Sequence, residues 1–294
     1  MLKNHIIYFP GCANSYDPKT KIENIFRALD IDIKPVSEWN CCGAPPSHYK
    51  PDFFNKAVMP LRNLGLCQNG GENFLYSGCS VCVNQINESV KLINSDSMFR
   101  KQADYSLRPF NAMLKESDPS KTGAIHIIDI IADAATEDKL LKTVPSKIKG
   151  NSILLYVGCY KNEAKIESLK KIFNIMGAEV NIFNDCCGGE KLQNMTPIHS
   201  KRIENANIAD NFFKLINKKA DETNSDYIVT VCSMCEKNID DGMKLSDLDI
   251  FAPVIGLIEF IGFMLDIEGC GEILNSILPC GVKPGNAKLE ECRL

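Results

Sequence analysis

The chain has 294 residues, a net charge of −4, 45% apolar and 24% charged residues, which suits a globular protein of two ordinary domains rather than a disordered or fibrous chain. That charge, with no basic run, argues against nucleic-acid binding. The first ten residues turn polar too soon for a signal peptide. The longest apolar run, Pro253 to Leu265, carries Glu259 and falls short of the ~20 residues that cross a membrane, so a cytoplasmic protein, peripheral at most, is expected.

Taken in chain order, the first predicted element is a short buried strand over Ile6–Phe9, followed closely by Cys12. A helical pattern covers Lys21–Leu29, and a second strand, Asp32–Val36, leads to the double cysteine Cys41-Cys42. A third strand over Phe74–Tyr76 runs into Cys79 and Cys82, spaced as CxxC. From Ser97 to Lys149 the chain is polar, is helical over Asp129–Lys142 and carries no motif. The sequence of events then recurs: strand Ile153–Val157 and Cys159, helix Ala164–Met176, strand Glu179–Phe183 and Cys186-Cys187, strand Tyr227–Val231 and Cys232/Cys235. Beyond Ile255 an apolar helical stretch is expected, then a tail with Gly281, Pro284 and Gly285 as a surface extension.

This recurrence is an internal repeat. HIIYFPGC ending at Cys12 matches SILLYVGC ending at Cys159, VSEWNCCGAP matches NIFNDCCGGE, and NFLYSGCSVC matches DYIVTVCSMC. The offsets between matched cysteines, 147, 145 and 153 residues, are nearly constant, so the chain reads as two copies of one domain joined between Val144 and Asn151. The expected domains are residues 1–148 and 149–294, the second with a C-terminal extension. Strands alternating with helices imply βαβ units, so the fold class is α/β: two pseudo-symmetric repeat domains, each a small parallel β-sheet flanked by helices. Each cysteine group follows a strand directly, which places it at the sheet edge where open α/β sheets build their sites.

Fourteen cysteines in such a chain call for a chemical reason. Disulfides are rare in reducing compartments, and adjacent cysteines such as Cys41-Cys42 and Cys186-Cys187 bridge each other only with strain, so thiolate ligation of metal is the better account. A structural zinc takes four ligands in a tetrahedron, whereas each copy offers five. The compact cysteine run of cubane iron–sulfur proteins is absent. Five thiolates suit a cluster in which one sulfur bridges two irons, or a site whose fifth cysteine serves another purpose. Zinc at one or both sites is the main rival reading.

The patterns C-x28-CCG-x35-CxxC and C-x26-CCG-x43-CxxC resemble the tandem CCG (cysteine-rich) domain, and most closely the B subunits of heterodisulfide reductases and their homologues. The resemblance spans nearly the whole chain. It implies two noncubane [4Fe-4S] clusters, one ligated by Cys12, Cys41, Cys42, Cys79 and Cys82, the other by Cys159, Cys186, Cys187, Cys232 and Cys235. It implies an oxidoreductase subunit that reduces a small-molecule disulfide, each cluster delivering one electron to one sulfur. Electrons would come from a ferredoxin-like partner subunit and a flavin-containing one. Homologues in nonclassical succinate dehydrogenases and fumarate reductases imply an alternative role, electron transfer in a quinone-linked dehydrogenase. A zinc-binding assembly module without redox chemistry is the third reading. Gly43 stands where the methanogen enzymes have proline, which weakens the link to one particular disulfide.

No nucleotide-binding GxGxxG and no ferredoxin motif occurs, so electrons must arrive from another polypeptide. His48, six residues after Cys42, is a candidate proton donor to a product thiolate, weighed against a hydrogen-bonded structural histidine. His5, His126 and His199 carry no motif, and Cys67, Cys270, Cys280 and Cys292 have no counterparts in the repeat and read as plain thiols. Pro45-Pro46 reads as a turn, Trp39 as core packing, and Lys50, Arg62 and Lys191 as cations indistinguishable from surface charges. Glycines 11, 43, 78, 158, 188 and 189 would let backbone N–H groups approach the sulfurs.

Overall fold

The structure is a computed structural model that describes residues 5–12, 19–44, 52–143, 147–188, 199–246, 248 and 251–270. It divides into two compact units, the first built on residues up to Ile130 and the second on those from Ile131.

In the first unit β1 (His5–Tyr8), β2 (Asp32–Pro35), β3 (Phe74–Ser77) and β4 (Gly123–His126) form one parallel sheet in the order β2-β1-β3-β4. Helix α1 (Lys19–Ala28) connects β1 to β2. A π-helical turn, Phe54–Val58, leads into α2 (Met59–Asn69), and α3 (Ser80–Ser95) and α4 (Ser97–Leu107) follow β3. Strands covered on both faces must be apolar on both, and Ile6, Ile7, Leu75 and Ala124 are all buried. Phe26, Leu61, Leu64 and Ile86 close over them from the helices, each with no solvent exposure.

The second unit repeats the plan. Helices α5 (Ile127–Ile131) and α6 (Ala134–Thr143) lead into it. Strands β5 (Ser152–Tyr156), β6 (Glu179–Phe183), β7 (Tyr227–Thr230) and β8 (Val254–Gly256) lie parallel in the order β6-β5-β7-β8. Helices α7 (Glu163–Ile175), α8 (His199–Glu222), α9 (Ser233–Leu245) and α10 (Leu257–Met264) flank them. Ile153, Leu154, Leu155, Ile228 and Val229 are fully buried, beneath Phe173, Phe213 and Phe260.

The α/β reading and the six strands named from sequence hold, with ends shifted by a residue. Each sheet has a fourth strand that the sequence reading passed over. Gly123–His126 lay in the segment taken as motif-free, and Val254–Gly256 at the threshold of the stretch expected to be helical beyond Ile255. Both are short edge strands, three or four residues long, whose pattern is overshadowed by the apolar helix that begins at the next residue. These helices are a further matched pair, Ile127-Ile128-Asp129-Ile130-Ile131 against Leu257-Ile258-Glu259-Phe260-Ile261. The expected helix Asp129–Lys142 is two helices broken at Ala132-Asp133. The tail with Gly281, Pro284 and Gly285 lies outside the described residues.

Helices α8 and α9 cross where Gly242 meets Ala209: a Cβ at Gly242 would stand 2.4 Å from the Ala209 carbonyl oxygen and 2.8 Å from Phe213 Cβ. Substituting Gly242→Ala gains about 1 kcal/mol of helix propensity, but the overlap forces the helices apart and outweighs it. A net loss of about 1–3 kcal/mol is expected as a lower denaturant midpoint. Exposed Lys237→Ala should change stability by no more than about 0.5 kcal/mol.

Candidate metal centre

In an open parallel sheet a site forms beyond the carboxyl ends of the strands, where the chain order reverses. That point lies between β1 and β3 in the first unit and between β5 and β7 in the second. Each sheet is extended by one more rung there: the Phe9 N–H donates to the Tyr76 oxygen at 2.7 Å, and the Val231 N–H to the Tyr156 oxygen at 3.1 Å. The CxxC pairs sit at the start of a helix. Cys79 is the extended N-cap of α3, with Cys82 in its first turn, and Cys232 and Cys235 hold the same places in α9. A helix N-terminus favours negative charge, so both pairs stand where thiolates are stabilised.

The five thiols of each set come together. In the first unit they run as a string: Cys12 contacts Cys41, Cys41 contacts Cys42, Cys42 contacts Cys82, and Cys82 contacts Cys79. In the second unit Cys159 Sγ is 3.6 Å from Cys186 Sγ, Cys187 Sγ is 3.3 Å from Cys235 Sγ, and Cys235 contacts Cys232. The contacts of the second copy match their counterparts in the first: Cys159–Cys186 answers Cys12–Cys41, Cys187–Cys235 answers Cys42–Cys82, and Cys235–Cys232 answers Cys82–Cys79. Along the outer rim the thiols are accessible at Cys12 and Cys186, whereas Cys42, Cys79, Cys82, Cys187, Cys232 and Cys235 are buried. Among the described residues no three His, Cys, Asp or Glu side chains are gathered around one point as a single metal ion would require.

The backbone is shaped to the sulfurs. Gly11 and Gly158 have positive φ, +68° and +53°, and a Cβ on either would press to 3.2 Å from Cys82 Sγ or 3.1 Å from Cys235 Sγ. The Gly43 and Gly188 N–H groups donate to Cys41 Sγ at 3.5 Å and Cys186 Sγ at 3.4 Å. Hydrogen bonds from Cys41 and Cys82 hold Cys42 well below the ordinary thiol range. Contact with Cys42 and Cys79, and then burial, push Cys82 well above it. Cys235 is pushed up by Cys187, Cys232 and burial, and Cys159 is raised to about 12 by burial and the charge of Cys186. Neighbouring thiols thus resist ionising together, and a cationic centre would supply the charge that lets them do so, releasing protons as it binds. Soft sulfur donors in a string fit an iron–sulfur group.

The two copies secure their double cysteines differently. In the first, Asn40 N–H donates to Asn63 Oδ1 at 2.9 Å, and Asn63 Nδ2 donates to the Asn40 oxygen at 2.8 Å. Arg62 Nη1 adds bonds to the Glu38 oxygen and to Asn40 Oδ1, and its guanidinium lies over the Phe110 ring. In the second, Tyr156 donates its hydroxyl to the Asp185 oxygen at 2.7 Å, and Asn238 Nδ2 donates to the Cys187 oxygen at 2.5 Å. Tyr156 is fully buried, and its hydroxyl also contacts Cys235. Burial, then the charges of Cys235 and Cys187, hold its pKa far above the ordinary tyrosine value.

Two further titratable groups stand at the same edge. His126, at the end of β4, is buried and accepts the Ile128 N–H on Nδ1 at 3.3 Å. Its place in the second sheet is taken by Gly256, whose N–H donates to Glu236 Oε1 at 3.1 Å. Glu236 is pushed up to about 7 by burial and then by the charge of Glu259. Asn63, Asn238, Tyr156 and Glu236 were not named from sequence; the one available signal was their unlike partners in the repeat, such as Phe9 against Tyr156 and Val83 against Glu236.

Other expectations resolve variously. Trp39 is not core packing: it is 39% exposed, its ring edge-on to Phe9 at 5.7 Å between centroids. Arg62 braces the first loop, so it is distinguishable from surface charge after all. Cys67 is buried, its thiol donating to the Glu72 and Phe74 oxygens, and Cys270 is half-buried. His5 Nδ1 lies 2.8 Å from Asp32 Oδ2, and His199 begins α8. His48, Pro45, Pro46, Lys50, Gly189, Lys191, Cys280 and Cys292 lie outside the described residues. No helix among the described residues is long and apolar enough to cross a membrane.

Repeated α/β units, each bringing five thiols to the switch point of a parallel sheet, define a tandem cysteine-rich protein built for a sulfur-ligated centre. The chain belongs to the CCG family of cysteine-rich domains, which matches residues 6–87 and 153–240. A heterodisulfide reductase B-subunit-like protein of Archaeoglobus profundus is 23% identical over 287 residues, covering 88% of this chain and 90% of that protein. An 8-methylmenaquinol:fumarate reductase membrane anchor subunit of Wolinella succinogenes is 22% identical over 287 residues, covering 90% and 94%. The crystal structure of a hypothetical protein from Helicobacter pylori shares the fold with a TM-score of 0.64 at 11% identity, over 92% of this chain. The chain spans half the length of that protein.

Asn63 is fully buried, so Asn63→Ala strands the Asn40 N–H and oxygen without replacement. A loss of about 2–3 kcal/mol is expected in metal-free protein, with faster amide exchange over residues 38–43. Unchanged exchange there would show that Arg62 alone holds the loop.

Proposed function

We propose that the chain is an iron–sulfur electron-transfer subunit of a heterodisulfide-reductase-type complex, one redox centre in each of residues 1–148 and 149–294. The observation that carries this is the string of five thiols in the first unit, matched in the second by the contacts Cys159–Cys186, Cys187–Cys235 and Cys235–Cys232. A string of five sulfurs suits a multi-iron centre better than a tetrahedral zinc. The ligands would be Cys12, Cys41, Cys42, Cys79 and Cys82 in one centre and Cys159, Cys186, Cys187, Cys232 and Cys235 in the other, each holding a noncubane [4Fe-4S] cluster. When bound, such clusters supply one-electron transfer.

The chain's own contribution is to hold ten thiolates in place, keep eight buried or half-buried, and direct the Gly43 and Gly188 amides at sulfur. The substrate in this reading is a small disulfide, which takes up two electrons and two protons to yield two thiols. His48 is the candidate proton donor in the sequence. Electrons come from a ferredoxin-like partner, itself served by a flavin-containing one. The fumarate reductase relative supports a second reading, in which the same centres relay electrons within a quinone-linked dehydrogenase held at a membrane by its partners.

Anaerobically purified protein should contain about eight irons per chain. Zinc in a one-to-one or two-to-one ratio, with little iron, would sink the redox reading. Serine at Cys79 or Cys232 should abolish disulfide reduction with an artificial donor while leaving partner binding intact. Retained turnover in either variant would remove that cysteine from the centre. Reduction of a quinone analogue but of no disulfide would favour the dehydrogenase reading.

A further inference from the structure

The two centres sit in matched frames but differ at one buried position. Phe9-Pro10-Gly11-Cys12 in the first copy corresponds to Tyr156-Val157-Gly158-Cys159 in the second. Phe9 and Tyr156 are both fully buried beneath the site. In the first copy the ring lies 3.9 Å from the position of a Cβ on Gly11 and presents only carbon. In the second the Tyr156 oxygen lies 3.1 Å from the equivalent point on Gly158, as does Cys235 Sγ, and the hydroxyl contacts that sulfur.

From this we propose that Tyr156 is a positioning residue that makes the second centre the more easily reduced of the two, by donating its hydroxyl proton to the Cys235 thiolate. The inference rests on the iron–sulfur reading above. The hydroxyl has one proton and two acceptors within reach, the Asp185 oxygen at 2.7 Å and Cys235 Sγ. A ligating thiolate is charged, and a hydrogen bond to a charged acceptor is about twice as strong as one between neutral groups. Loading the centre therefore draws the proton from the carbonyl towards sulfur. Reduction adds negative charge to the cluster and its sulfurs, so a donor at sulfur stabilises the reduced form more than the oxidised one and raises the potential. Phe9 offers the first centre no such proton. Electrons entering the protein would then settle on the second centre.

The test is an anaerobic potentiometric titration of fully loaded protein, followed by its spectrum, in the wild type, Tyr156→Phe and Phe9→Tyr. Two reduction steps are expected in the wild type. Tyr156→Phe should move the higher step to lower potential and leave the other in place. Phe9→Tyr should move the lower step up, a gain that a merely structural tyrosine at position 156 would not foresee. Loaded protein in which Tyr156→Phe moves neither step, or moves both equally, overturns the inference alone. If Tyr156→Phe loses iron from one centre, the Phe9→Tyr titration decides, and an unmoved lower step overturns it. A wild-type chain that binds no iron overturns both this inference and the function on which it rests.

Discussion

Crowding of thiols at the carboxyl edge of a parallel sheet is the constraint on which each unit is organised. Sulfurs packed this closely cannot all ionise unless positive charge is brought to them. The chain answers in part with what the backbone can offer: helix N-termini under Cys79 and Cys232, and amide N–H groups directed at Cys41 and Cys186. A bound cationic group would supply the remainder of the charge.

The sheet order is what allows the convergence. With β1 and β5 second in their sheets, the crossovers to β2 and β6 go one way and those to β3 and β7 go the other. The loops after adjacent strands then part, leaving a gap into which the CxxC helix presents its first turn. Gly11 and Gly158 adopt left-handed backbone there, which glycine takes without strain, and the lack of a side chain leaves room for the Cys82 or Cys235 sulfur to approach closely. Once the gap exists, the double cysteine must be steadied over it. Each copy solves that problem with the side chains at hand, Asn63 and Arg62 from a helix in one, Tyr156 from a strand and Asn238 from a helix in the other. Equivalent backbone is therefore preserved with unlike supports, and the electrostatics around the two sets of sulfurs differ.

Much of this was legible in the amino-acid sequence. Reactive residue types, their spacing and their repetition are properties of the chain itself, so the two sets of cysteines, the six principal strands and the α/β class could be read directly. Resemblance to the CCG family also rests on those local patterns. Less was legible where elements are short or where supports come from afar. Gly123–His126 and Val254–Gly256 are edge strands of a few residues, pairing with one neighbour, and their brevity leaves no periodicity to detect.

By itself, then, the sequence determined which thiols are available, that they come in two equivalent sets, and that each set follows the ends of strands. Only the tertiary structure decided the order in which the sulfurs touch, the fourth strand that completes each sheet, and the buried groups beside each set. Trp39 shows the limit plainly: an apolar residue next to a double cysteine reads as core, yet it stands partly exposed against Phe9. The reason is that side-chain chemistry is inherited from the chain, whereas contact between Tyr156 and Asp185, or Asn63 and Asn40, exists only after separate elements have packed.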